Sequence, residues 1–320
     1  MRRWLIAFLL AAFSWTTQAQ EAWPNRVIRI VVPYPAGGIA DKIAREVAQD
    51  LTKRLGQSVI VENRAGAAGN VGMDYAAKQP ADGYTLVLAP ASNLTVNDAL
   101  FKNLSYDIHK DFAPISLLIL TPQVLVAHPS VGVKNMKEAV AYIKAHPDKA
   151  NYGSPGIGSF SHLAGEMLGF ETGVKLLHVP YQGQAPAIND LLAGTLRFMF
   201  VEVIIGAPQI KAGKFTPIAI ANRTRAPWLT EVPTMGEAGY PNIQVASWYG
   251  LIARAGTPGP VMSRLTKEVR EIMKSDEMKK RYDDIGAYTV GSSPEEFDAY
   301  IRSETTKWVG LIKRVGIQPQ

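Results

Sequence analysis

Residues 27–41, VIRIVVPYPAGGIAD, set the expected fold class, because their pattern is that of a strand, a turn and a helix start. The first six residues are mostly β-branched, which favours a strand. The turn that follows contains Gly37 and Gly38. From Ile43 onward, apolar residues recur at four-residue spacing on one face of a helix, and Gly56 is placed to end it. This stretch therefore predicts one strand–helix unit of an α/β protein.

The same alternation continues along the chain. Further strands are predicted at 58–63, 84–89, 151–154, 176–180, 196–203 and 215–221. Further helices are predicted up to about residue 79 and at 135–146, 159–172, 185–193 and 260–285, with a last one capped by Ser293. Strands that alternate with helices predict mostly parallel sheets flanked by crossover helices.

Two apolar stretches are candidates for connections between two α/β units. The first is 115–127, which we expect to break at Thr121-Pro122, and the second is 244–253. Because the chain would pass between the two units twice, we expect the first unit to consist of two separate stretches of sequence. The two connections would together form a hinge. The predicted division is domain 1 from 20–123 plus 248–320, domain 2 from 124–247, and hinge strands near 121–127 and 244–252.

The first residues have the pattern of a secretory signal peptide. Arg2 and Arg3 precede an apolar run at 4–13, followed by a polar run at 14–20. This apolar run is shorter than the ~20 residues that a membrane-spanning helix needs. We predict cleavage after Ala19 and export to the periplasm.

Composition and motifs exclude several function classes. The 320 residues contain no Cys, which excludes disulfides, thiolate metal sites and a cysteine nucleophile. The 34 basic residues against 28 acidic ones are dispersed, unlike the basic patch of a nucleic-acid-binding protein. Hydrolase, zinc-protease, P-loop and dinucleotide motifs are absent, and the five His residues lack metal-ligand spacing. We therefore expect no enzyme activity, metal or cofactor.

The turn that contains Gly37 and Gly38 is the first candidate anion site. Ligands of open α/β sheets bind beyond the carboxyl ends of the strands. Glycines there let the backbone approach a ligand, and the next helix offers unpaired N–H groups and its positive dipole end. Asp41 has two interpretations: it complements the helix dipole, or it accepts a hydrogen bond from the ligand or a bridging water.

Three more turns repeat this pattern. Ser92 follows a strand and is either a helix N-cap or a donor to a ligand oxygen. The turn at 154–162 offers Ser159 as a cap, and the turn at 180–183 adds an aromatic donor. Glu202, at the end of a strand, lies either in the cleft or at a sheet edge. If two such turns face each other across a hinge, we expect them to bind one small anion between them.

In order along the chain, seven segments resemble the Bug-type proteins, the extracytoplasmic substrate-binding subunits of tripartite tricarboxylate transporters. They are VVPYPAGG at 31–38 with Asp41, VENRAGAAG at 61–69, PADGYTL at 80–86, YGSPGIGS at 152–159 with His162, HVPYQG at 178–183, VPTMGEAG at 232–239 and SWYGL at 247–251. Together they cover nearly the whole chain after the signal segment.

The resemblance implies a two-domain, type II (Venus flytrap) periplasmic binding fold that holds a ligand carboxylate, partly through water. It implies ligand contacts by Tyr34, Gly37, Gly38, Ile39, Ala40, Asp41, Ser154, Gly158, Ser159, Tyr181 and Gly183. From their positions beside the predicted clefts, Ser92, His162 and Glu202 complete the candidate binding residues. Ile39 and Ala40 stand where the family often has small polar residues, which favours a less polar ligand body.

The sequence therefore predicts a monomeric periplasmic receptor that captures a small organic carboxylate, either a di- or tricarboxylate or an aromatic one. The expected partners are the membrane permease subunits of a tripartite transporter. Two alternatives remain open: a receptor that reports to a signalling partner, and a secreted hydrolase or isomerase.

Overall fold

One long strand, β4 (Phe112–Ala127), runs through both sheets of the structure, a computed structural model that describes residues 23–319. Its first part pairs antiparallel with β9 (Ala246–Arg254), its last five residues pair with β7 (Phe198–Glu202), and the last four of these also pair with β8 (Thr216–Ile220). The two sheets are therefore joined through one continuous strand. The predicted signal peptide and its cleavage site lie outside the described residues.

The first sheet combines parallel strands with antiparallel crossing strands. Its order is β2-β1-β3-β9-β4, and the short β10 is attached to β4. The strands β1 (Ile28–Val32), β2 (Val59–Asn63) and β3 (Thr85–Pro90) are mutually parallel, β9 and β4 are antiparallel to their neighbours, and β10 is Tyr288–Thr289. Burial of β1 is almost complete, as expected of a central strand covered on both faces.

The second sheet has the order β6-β5-β7-β4, and β8 also pairs with β4. Its strands are β5 (Asn151–Ser154), β6 (Leu177–Pro180), β7 (Phe198–Glu202) and β8 (Thr216–Ile220). The pairs β5–β6 and β5–β7 are parallel. The predicted α/β class is confirmed, with antiparallel pairing where the crossing strands enter each sheet.

Helices cover both sheets. They are α1 (Ile39–Leu55), α2 (Asn70–Ala77), α3 (Ala91–Thr95), α4 (Asn97–Leu100), α5 (Ile108–Asp111), α6 (Met136–Ala145), α7 (Phe160–Thr172), α8 (Gln184–Leu192), α9 (Val203–Lys211), α10 (Gly259–Met273), α11 (Asp276–Asp283) and α12 (Pro294–Val315), with 3-10 turns at Ala67–Gly69 and Pro129–Val131. The predicted capping box of the last helix is present at Ser293 and Glu296. Between residues 23 and 319, no helix is long and apolar enough to cross a bilayer.

Two details of the predicted element boundaries are wrong. Pro122 does not break the crossing strand, because it lies where β4 changes partner from β9 to β7 and its missing N–H removes no required ladder bond. The predicted helix 260–285 is two helices, because the Ser275 hydroxyl accepts from the backbone N–H of Met278 and starts α11 as a new helix.

The last helix, α12, packs against the first sheet and against a helix that covers the second sheet. Near its start, Phe297 packs edge-on against Trp248 of β9. Two turns from its end, Trp308 packs on Phe160, the first residue of α7, with ring centroids 4.7 Å apart. Helix α12 therefore links the first sheet to a helix that covers the second.

Candidate functional site

A cavity of about 290 Å³ lies where loops from both sheets meet. Its walls come from the β1–α1 loop on one side and from the starts of α7 and α8 on the other, with β4, β7 and β9 beneath. Among the described residues that line it, none is Lys, Arg or His. An anion in this cavity is therefore held without a cationic side chain.

Four helices of nine residues or more begin at this cavity. Their N-cap residues, which all line it, are Gly38 of α1, Ser159 of α7, Gly183 of α8 and Glu202 of α9. The first turn of a helix has backbone N–H groups without intrahelical partners and carries the positive end of the dipole. The convergence of four such ends makes the cavity favourable for negative charge.

Asp41 supports the first loop and does not line the cavity. Its carboxylate accepts hydrogen bonds from the Gly37 N–H at 3.0 Å, from Arg45 at 3.0 Å and from the Asn63 amide at 2.9 Å. Burial by itself raises the pKa of Asp41, but these three donors outweigh it and hold the pKa below its ordinary value. Gly37 has a φ of +85°, so the carboxylate stabilises a left-handed turn that favours glycine. Asp41 therefore positions the Gly37 turn, and the predicted contact of Asp41 with a ligand or a bridging water stays a prediction.

Tyr34 is held in the cavity wall from behind. Its hydroxyl donates to the carbonyl oxygen of Ala68 at 3.2 Å and also interacts with Ser92. Burial raises the pKa of Tyr34, so the phenol stays neutral. Ser92 lines the cavity inside the first turn of α3, whose N-cap is Pro90. Ser92 is therefore not the N-cap considered from the sequence.

The start of α7 presents Ser159 to the cavity and keeps His162 behind it. The Ser159 hydroxyl donates to the carbonyl of Gly156 at 2.7 Å and accepts from the His162 N–H at 3.3 Å. The Gly158 N–H donates to Nδ1 of His162 at 3.2 Å. Gly158 and His162 close this turn and do not line the cavity, and their predicted contact with a ligand stays a prediction.

A buried pair of imidazoles supports the same turn. The rings of His162 and His178 stack with centroids 4.2 Å apart, and Nε2 of His178 lies 2.7 Å from the Ser154 hydroxyl. Burial lowers the pKa of His162 to about 3, with a contribution from His178, and lowers the pKa of His178 to about 4. Ser154 is fully buried against His178, lies outside the lining and positions the turn, and its predicted contact with a ligand stays a prediction.

Tyr181 also lies outside the cavity lining. Its hydroxyl donates to Asp190 of α8 at 2.5 Å, and burial together with this bond raises the pKa of Tyr181 to about 12. The predicted aromatic donor therefore fastens α8 to the preceding strand. Gly183, two residues later, has a φ of +113° and lines the cavity. A side chain at Gly183 would strain the turn that starts α8.

Glu202 and Tyr249 form the polar part of the cavity floor. The Tyr249 hydroxyl donates to Oε1 of Glu202 at 3.0 Å, and Oε2 of Glu202 has no protein partner. Burial raises the pKa of Glu202 to about 7, against the opposing hydrogen bonds from Tyr249 and Ser247. Strand β7 lies between β4 and β5, so the sheet-edge alternative for Glu202 is wrong.

Nine of the predicted site residues line the cavity: Tyr34, Gly37, Gly38, Ile39, Ala40, Ser92, Ser159, Gly183 and Glu202. Sequence reasoning missed four residues of the floor, Gln123, Ser247, Trp248 and Tyr249. Gln123 donates to the Ser247 hydroxyl at 2.9 Å, which joins the two crossing strands. A polar residue inside an apolar crossing strand was the signal that could have identified Gln123. Within residues 23–319, no group of three or more His, Asp or Glu is arranged to hold a metal ion.

Comparison with known proteins identifies the family. Residues 43–317 match the family described as tripartite tricarboxylate transporter family receptor, TctC. The chain is 35% identical to a protein from the tcbD–tcbE intergenic region of Pseudomonas sp. (strain P51), over 97% of this chain and 93% of the other. It is 33% identical to protein BugT of Bordetella pertussis, over 92% of this chain and 91% of BugT.

Solved structures of relatives share the whole fold. R. palustris Rpa4515 with adipate superposes with a TM-score of 0.89 at 33% identity and covers 93% of this chain and 100% of that one. MatC from Rhodopseudomonas palustris with bound malate superposes with a TM-score of 0.84 at 31% identity and covers 91% of this chain and 100% of MatC. The predicted resemblance is confirmed, and a receptor family is not an enzyme family, as predicted. The chain belongs to the tripartite tricarboxylate transporter family of receptors, which includes the Bug proteins.

Proposed function

We propose that this protein is a periplasmic receptor that binds a small organic carboxylate in the cavity and delivers it to the membrane subunits of a tripartite transporter. The observation that carries the proposal is the convergence of four helix N-termini on a cavity without cationic side chains. Relatives with structures bound to adipate and malate support a carboxylate as the ligand.

The ligand carboxylate binds between the β1–α1 loop and the start of α7 or α8. Backbone N–H groups near Gly38, Ser159 and Gly183 donate to it, directly or through water. Hydrogen bonds to a charged group are stronger than those between neutral groups, so several of them compensate for its desolvation. Backbone donors are fixed by the helices and therefore lose little conformational freedom on binding.

Binding closes two lobes around the ligand. The lobes follow the predicted division, 20–123 plus 248–320 and 124–247, with the hinge where β4 and β9 pass between the sheets. Strand β4 supports this assignment, because it pairs with β9 up to Pro122 and with β7 from Gln123. The closed form is the one that the transporter recognises. Small-angle scattering should therefore show a smaller radius of gyration with ligand present, and an unchanged radius contradicts closure.

A thermal-shift and calorimetry panel tests the binding function. The panel contains adipate, malate, citrate, benzoate and aspartate. Dimethyl adipate, in which both carboxyl groups are esterified, is the uncharged control. A ligand at 100 times its Kd stabilises the folded state by about 2.7 kcal/mol, which is a clear rise in Tm. The diester should give no rise. If no acid raises Tm or produces heat, carboxylate binding is wrong.

Delivery to a transporter needs a separate test, because a signalling receptor binds its ligand equally well. Deletion of the gene should abolish uptake of the acid that binds in calorimetry, and expression of the intact gene should restore uptake. Normal uptake with loss of a transcriptional response to the acid would instead favour the signalling alternative.

A further inference from the structure

We propose that Glu202 contacts the end of the ligand remote from the N-termini of α1, α7 and α8 and requires a hydrogen-bond donor there, so that an α,ω-dicarboxylate binds with one proton shared between its second carboxyl group and Glu202. This inference rests on the proposed carboxylate-binding function. It names the ligand class: an acid with an apolar middle and a hydroxyl or protonated carboxyl at its far end.

The first support is the set of unpartnered polar atoms at the cavity floor. Glu202 is only 6% exposed, and its Oε2 has no hydrogen-bond partner. Gln123 lies opposite Glu202 in the β4–β7 register, is 1% exposed, and its Oε1 also has no partner. Buried polar atoms are normally satisfied, so two unpartnered acceptors on cavity-lining residues indicate that the ligand supplies the donor.

The second support is the absence of a cationic side chain around Glu202 in the cavity lining. The groups that face it are Tyr249 and Ser247 from β9, Gln123 from β4, the start of α9, of which Glu202 is the N-cap, and, across the cavity, Tyr34 from the β1–α1 loop. The phenols of Tyr34 and Tyr249 are neutral, because burial raises the pKa of both. A second carboxylate ion next to an ionised Glu202 would place two like charges in one desolvated cavity, and such pairs hold a shared proton.

The third support is the apolar lining beside the helix N-termini. Ile39 and Ala40 from α1, Phe160 from α7 and Ala185 from α8 are first-turn residues that line the cavity, so the part of the ligand that follows its first carboxylate meets hydrocarbon. A charged or strongly hydrated middle, as in citrate, fits this wall poorly.

Calorimetry with three acids of one chain length tests the proposal. The probes are adipate, the corresponding ω-hydroxy acid and hexanoate, each titrated in two buffers of different ionisation enthalpy at about pH 8.5, where the free Glu202 is ionised. We expect adipate to take up about one proton from solution per site and to lose affinity about tenfold per pH unit above pH 7. The hydroxy acid should bind without proton uptake and more tightly than hexanoate.

Two variants test whether Glu202 is the group that shares the proton with adipate. In Glu202→Gln, adipate should bind without proton uptake, and its affinity should no longer fall with pH. Glu268→Gln, which changes another buried glutamate on α10 outside the cavity lining, should behave like the wild type in ligand binding. The number of protons that the wild-type protein takes up per bound adipate tests the proposal even if a variant fails to fold.

The outcomes separate this inference from the proposed function. If the acids bind but adipate takes up no proton at about pH 8.5 and Glu202→Gln leaves its pH dependence intact, the role of Glu202 is wrong while carboxylate binding stands. If hexanoate and adipate both fail to bind at every pH, the proposed function and the inference fall together.

Discussion

The Tyr249 hydroxyl donates a hydrogen bond to Oε1 of Glu202 at 3.0 Å, and this bond joins the first sheet to the second. Tyr249 belongs to β9, which pairs with β3 and β4, whereas Glu202 ends β7 of the second sheet. The bond favours the ionised carboxyl group, but burial opposes ionisation more strongly and raises the pKa of Glu202 to about 7.

This pKa predicts how stability without ligand depends on pH. Between about pH 4.5 and 7 the folded protein keeps the proton of Glu202, while the unfolded chain has released it. The contribution of Glu202 to the free energy of unfolding therefore falls as pH rises through that window, by about 3 kcal/mol in total. Urea unfolding of wild type and Glu202→Gln at both ends of the window should show that the variant lacks this loss. Tyr249→Phe should extend the loss above pH 7, where unfolding is also measured, because the ionised carboxyl group then lacks its donor and the folded pKa rises further. Equal pH slopes in all three proteins would contradict the assignment.

A side chain at Gly38 should abolish ligand binding without unfolding the protein. Gly38 is the N-cap of α1 with a φ of −80°, and a Cβ there meets only the Pro35 carbonyl at 3.8 Å, an ordinary contact. In Gly38→Val, the branched side chain covers the unpaired N–H groups that receive the ligand carboxylate. We expect the unliganded Tm to change little and the ligand-induced rise in Tm to disappear. Gly259→Val, at the start of α10 with open space around it, is the matched control and should bind normally. Unchanged affinity in Gly38→Val would show that the carboxylate binds elsewhere.

The stacked histidines predict a pH dependence of opposite sign. The folded pKa values of His162 and His178, about 3 and 4, lie below the ordinary 6.5, so the unfolded chain binds more protons between about pH 4 and 6.5. Stability from this pair rises with pH through that window and is lost as pH falls. His178→Gln should show a smaller loss of stability than wild type when pH drops from about 6.5 to 4.5. The measurement is urea unfolding at both pH values, and His162→Gln should respond in the same direction. A loss as large as in wild type would mean that these rings already carry protons in the folded protein.

The sequence predicted the strand–helix units because their local patterns are strong. The β1–α1 stretch has a β-branched strand, a glycine turn and a four-residue apolar spacing, and all three are local signals. The cavity lining from this stretch, Tyr34 to Ala40, could therefore be predicted. The turn residues that fell outside the lining share one physical cause: Asp41, His162 and Tyr181 each bind a partner that only the folded structure brings near.

The floor of the cavity could not be derived from local patterns. Gln123 and Ser247 lie 124 positions apart in the sequence and meet only because β4 and β9 pair antiparallel. Tyr249 and Glu202, 47 positions apart, meet because β9 and β7 both pair with β4. The break in the helix at Ser275 was missed because its apolar spacing continues past the cap, and helix propensity alone does not mark it.

Trp308 should control the shape of the cavity from outside it. The indole is fully buried, its N–H donates to Glu304 at 2.8 Å, and its ring packs on Phe160, which lines the cavity. Trp308→Ala should lower the free energy of unfolding by about 3–5 kcal/mol, because it leaves a void in the core.

Trp308→Ala should also weaken ligand binding by the protein that remains folded. The reason is that Phe160 loses the surface that holds its ring against the ligand. Trp308→Phe keeps an aromatic ring at this position and should recover most of the affinity. Phe198→Ala, equally buried but on β7 against Tyr142, should lose similar stability while the remaining folded protein binds normally. Denaturant unfolding and calorimetry at a temperature where all variants are folded measure both effects. If Trp308→Ala binds as tightly as Phe198→Ala, helix α12 contributes to stability but does not shape the site.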